Sequence, residues 1–79
     1  MTGVDLYADK AKLVHQLRRA GFGDYADAID TAVASGATVS EVLFLLRLEL
    51  RELLKERALP RVPLSLARKM SKDITRLID

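Results

Sequence analysis

The chain has 79 residues, thirteen Lys/Arg against eleven Asp/Glu, a formal net charge of +2 and no cysteine. That length implies one domain, whose single core supplies only ~3–5 kcal/mol of net stability. Without cysteine, disulfide frameworks, thiolate zinc sites and cysteine nucleophiles are excluded.

The first predicted helix spans Leu6–Ala20. Asp5 is placed to cap it, and Leu6, Leu13, Leu17 and Ala20 fall on one face with Tyr7 and Val14 on its shoulder. Arg18 and Arg19 suit the negative end of the helix dipole. Gly21 supplies a left-handed stop, after which Phe22 can fold back onto Leu17.

A second helix is expected over Tyr25–Ser35, with Asp24 as its cap and Gly36 as its stop. Its apolar face is Tyr25, Ala26, Ile29 and Val33. Asp24, Asp27 and Asp30 form an acidic row. Asp24 and Asp27 are better explained by capping and dipole effects than by a cation, since one exposed helix cannot wrap an ion.

The third helix opens at Thr38-Val39-Ser40-Glu41, which fits a capping box, and is expected to run over 39–58. Val39, Leu43, Leu46, Leu50, Leu53 and Leu54 share one face. Phe44, Leu45 and Leu48 fall outside it, so the first half is apolar nearly all round. Two readings stay open. Either the other helices surround this one, or Phe44, Leu45 and Leu48 form a surface for a partner or for a second copy.

Pro60-Arg61-Val62-Pro63 is expected to be an extended connector. The last helix is predicted over Leu64–Ile78, with Leu66, Ala67, Met70, Ile74, Leu77 and Ile78 as its apolar stripe. Its other face carries Arg68, Lys69, Lys72 and Arg76, which together with Arg61 make a candidate basic patch. Such a face is a solvated surface or a contact for phosphates or an acidic partner. Residues 45–79 contain no aromatic side chain, which removes base stacking on single strands.

No strand pattern competes, so the expected fold is an all-α, compact four-helix bundle with successive helices roughly antiparallel. The single histidine, His15, lies opposite the Leu13/Leu17 stripe and is expected to be exposed, without partners for a triad or a zinc site. No phosphate loop or nucleophile elbow is present; no enzyme activity, metal or cofactor is expected. A helix-turn-helix register over Ala32, Gly36 and Val42 would offer only Arg47 for base reading, and it reads better as a helical hairpin. The opening MTGVDLYADK lacks a basic segment followed by an apolar run, and the longest apolar run is Val42–Leu46. A cytoplasmic protein, with neither signal peptide nor membrane span, is therefore expected.

Residues 32–43, AVASGATVSEVL, followed by Leu46-Arg47, resemble a group of short bacterial all-helical proteins. Their shared core is a small residue, a Gly-x-Thr turn, Ser/Thr-Glu, an aliphatic pair and Leu-Arg. The resemblance covers the middle third of the chain and extends loosely into the last helix. It implies an all-helical fold and a bacterial origin, and it carries no catalytic residues. Small chains of this type include immunity proteins and antitoxins, an analogy at the level of fold. The expected function is a non-enzymatic protein-binding module, of the kind of an immunity- or antitoxin-like inhibitor of a toxin or effector. A small nucleic-acid-binding regulator using the basic patch and a homodimeric structural domain are the alternatives.

Overall fold

The structure, a computed structural model, describes residues 5–78 and contains four helices: α1 (Leu6–Arg19), α2 (Gly23–Ser35), α3 (Val39–Leu54) and α4 (Arg61–Ile78). The expected all-α four-helix bundle is the fold observed. Each helix packs against two neighbours, in the cyclic order α1, α2, α3, α4. At one end of the bundle, a groove is lined by the start of α1, the end of α2, the start of α3 and the end of α4, so successive helices run antiparallel.

Helix α1 starts where the Asp5 side chain accepts a hydrogen bond from the Ala8 amide (3.0 Å). It ends in a Schellman motif. Gly21 takes φ +88°, the Phe22 amide donates to the Leu17 carbonyl (2.8 Å), and Gly21 donates to Arg18 (3.4 Å). A side chain at Gly21 would be strained in this left-handed region.

Four boundaries differ from expectation. Helix α1 ends one residue early, at Arg19, with Ala20 as its C-cap. Helix α2 begins two residues early, at Gly23, because the Phe22 carbonyl accepts from the Ala26 amide (3.2 Å) without any side-chain cap; Asp24 sits inside the first turn instead. Helix α3 ends at Leu54 rather than residue 58. There the Lys55 and Glu56 amides tighten onto Glu52 and Leu53, and the Glu56 carboxylate turns back to accept from the Ala58 amide (3.1 Å). Residues 61–63 are not an extended connector but the first turn of α4, with the Leu64 amide donating to the Pro60 carbonyl (3.0 Å). Pro63 is the third helical residue, and amides in a first turn have no partner inside the helix, so its missing N–H costs nothing.

The core joins Leu13 and Leu17 of α1, Ala26 and Ile29 of α2, Leu46, Leu50 and Leu53 of α3, and Ala67, Met70 and Ile74 of α4. Leu59, in the loop before α4, is also buried. Between α2 and α3 the chain turns through Gly36, which is extended (φ −73°, ψ 132°) and lies against the first turn of α3. Thr38 caps that turn by accepting from the Glu41 amide (3.1 Å). The second half of the expected capping box, a Glu41 carboxylate bonded to the Thr38 amide, is not formed among the described residues.

Candidate functional site

Seven large apolar side chains are substantially exposed: Tyr7, Val39, Phe44, Leu48, Val62, Leu77 and Ile78. All but Val62 lie on the end of the bundle where α1 and α3 begin, or on the outer face of α3 next to it. Their positions follow from helix phase. Leu46, Leu50 and Leu53 point α3 inward, and the residues half a turn away, Glu41, Phe44, Leu48, Arg51 and Lys55, must then face outward.

Phe44 is 50% exposed and Leu48 37%, while Leu45 is half-buried. The three residues singled out in the sequence therefore divide. Phe44 and Leu48 belong to the surface, and Leu45 leans toward the end of α4, where it shares a shallow apolar depression with Phe44 and Ile78. Val39, Leu77 and Ile78, expected in buried stripes, are exposed because they sit on terminal turns, beyond the reach of the neighbouring helices. Beside them a groove of about 430 Å³ runs between Leu6, Tyr7, Val33, Val42, Leu43 and Leu77.

The basic patch is only partly assembled. Arg68, Lys69, Lys72 and Arg76 line one shallow surface of α4. Arg61 lies at the opposite end of the helix from Arg76 and outside that surface. Lys69 is occupied: its ammonium donates to Asp9 of α1 (2.8 Å) and to the buried Asp73 (3.0 Å). These bonds, that to Asp9 first, hold its pKa above the usual lysine value. This bridge across the α1–α4 seam was missed in the sequence, where the lysine appeared among like charges. Its only local signal is the Lys69/Asp73 spacing of four. Among the described residues no carboxylate pairs with Arg68, Lys72 or Arg76.

Two members of the acidic row of α2, Asp27 and Asp30, are likewise paired. Asp30 pairs with Lys10 and with Arg18 (3.2 Å), and Asp27 pairs with Arg18 (2.9 Å). The hydrogen bond from Lys10, aided by Arg18, holds the Asp30 carboxyl below its usual range against an opposing effect of partial burial. The Arg18 guanidinium is correspondingly raised, chiefly by Asp27. Partial desolvation pushes the Tyr25 phenol up, with the nearby Glu56 adding to it; the Tyr25 hydroxyl donates to Glu56 (3.4 Å). His15 is exposed. Among the described residues no group of His, Cys, Asp or Glu could hold a metal ion.

No family model, curated protein or solved structure matches the chain. Among the described residues no helix is long and apolar enough to cross a membrane. What the geometry offers is an apolar surface made of side chains at one end of the bundle and on the adjoining outer face of α3, and one cationic strip on α4. The first is suited to excluding water against another apolar surface, the second to meeting anions.

Proposed function

We propose that the chain is a non-enzymatic protein-binding module and that the outer face of α3 is its docking surface. The observation that supports this most is the exposure of Phe44 and Leu48 side by side, one turn apart, on the side of α3 that faces away from a complete core. Exposed apolar residues scattered singly need no explanation, but adjacent ones rimmed by charge mark interaction sites. Phe44 is the natural anchor, since aromatic side chains dominate the energetics of small interfaces.

Within this reading, an immunity- or antitoxin-like inhibitor would act by occlusion, covering a partner's surface without doing chemistry. The nucleic-acid alternative rests on Arg68, Lys72 and Arg76, because Lys69 is committed to Asp9 and Asp73 and Arg61 lies apart. Three cations without an aromatic neighbour are the weaker support.

The double variant Phe44→Lys/Leu48→Lys tests the reading. Immobilised wild-type chain should retain a protein, its own soluble copy included, that the variant releases while keeping the wild-type far-ultraviolet circular dichroism. Equal retention by both chains would contradict it.

A further inference from the structure

The outward stripe of α3 reads Glu41, Phe44, Leu48, Arg51, Lys55, with spacings of three, four, three and four. Any one face of a helix has that alternation, so the information lies in which residues occupy it. The chemistry of this stripe is ordered: an acid, two apolar residues, then two bases. The pairs Phe44/Leu48 and Glu41/Arg51 share one midpoint, at Leu46. A single two-fold axis over Leu46 therefore sets Phe44 against the Leu48 of a second copy and Glu41 against its Arg51, each twice by symmetry. In a parallel pair, by contrast, Glu41 would face Glu41 and Arg51 would face Arg51. Arg51 has no ion-pair partner among the described residues, and Glu41 gives only its backbone amide to the helix cap.

Deepening the docking reading on which it rests, we infer that the occupant of this face is a second copy of the chain, bound antiparallel through α3. The size of the face sets its strength. Two exposed apolar side chains with Leu45 and Ile78 at their edge make a small face, at the weak end of the range of specific interfaces. The pair is therefore a weak dimer in equilibrium with monomer, and its orientation is set by charge.

Sedimentation velocity across a wide concentration range tests this with Glu41→Arg, Arg51→Glu and the two combined. Each single change sets like charges opposite each other at two symmetric places and should weaken dimerisation by about tenfold. The combined variant restores opposite charges and should return to within about twofold of wild type. Lack of rescue would overturn the antiparallel pairing. Because the chain has no cysteine, a second readout is available. A mixture of Glu41→Cys and Arg51→Cys chains should form a mixed disulfide faster than either chain alone, whose own thiols would lie ~15 Å apart along the pair. Wild-type chain that stays monomeric throughout overturns the second-copy inference. If it nevertheless retains a different protein through Phe44 and Leu48, the docking reading stands; if it retains none, both fail.

Discussion

Replacing Gly36 with alanine should destabilise the domain by about 1–3 kcal/mol, the usual cost of forcing atoms into filled space. The backbone angles at Gly36 are open to any residue, so the reason is purely steric. A Cβ there would lie 2.7 Å from the Val42 amide nitrogen and 2.9 Å from its Cα, as well as against a Val42 methyl. The methyl can rotate away, but the backbone cannot. Val42 belongs to the first turn of α3, where its amide donates to the Thr38 carbonyl (3.0 Å). Relief would displace the start of α3 and the cap that fixes it. Gly23→Ala is the matched control. Nothing lies within 4 Å of its added Cβ, and it occupies the first residue of α2. Alanine there should stabilise by roughly 0.5–1 kcal/mol through the unfolded chain. Urea midpoints at unchanged slope would read both; equal shifts of the same sign would contradict the steric account.

Leu50→Ala should be more damaging still. Leu50 is fully buried midway along α3, in a cluster to which all four helices contribute. Truncating a buried leucine costs about 2–5 kcal/mol, comparable to the ~3–5 kcal/mol that a core of this size supplies. The domain should lie near its unfolding midpoint at 25 °C without denaturant, visible as partial loss of helical circular dichroism. Retention of a cooperative, wild-type-like transition would mean that Leu50 is less central than its burial implies.

How much of this was legible in the sequence depends on what kind of signal each feature leaves. The α1 ending was readable to within one residue because Gly21 followed by an apolar residue is a local code for a Schellman motif. Starts made by backbone alone are not: α2 begins on the Phe22 carbonyl, so Asp24 looked like a cap and was not one. Pro63 drew the start of α4 toward itself, although a proline at the third helical position also lacks only an N–H that has no partner inside the helix. Periodicity located the core of α3 but overran it at the helix end, where Val39 has no neighbour above it and is 74% exposed. The Asp9–Lys69–Asp73 bridge joins residues 60 positions apart, and no local pattern announces such a contact. Phe44 and Leu48 were visible as an excess of apolar residues off the main stripe. Deciding that they face outward needed the other three helices in place.

In the proposed docking role, α3 has two apolar faces with different duties, one holding the bundle together and one held out to a partner. Urea unfolding of Phe44→Lys/Leu48→Lys tests that division most directly. Substitutions at surface positions usually change stability by no more than about 0.5 kcal/mol, and the variant should unfold cooperatively within about that margin of wild type. A loss approaching that of Leu50→Ala would place Phe44 and Leu48 in the core and contradict the account.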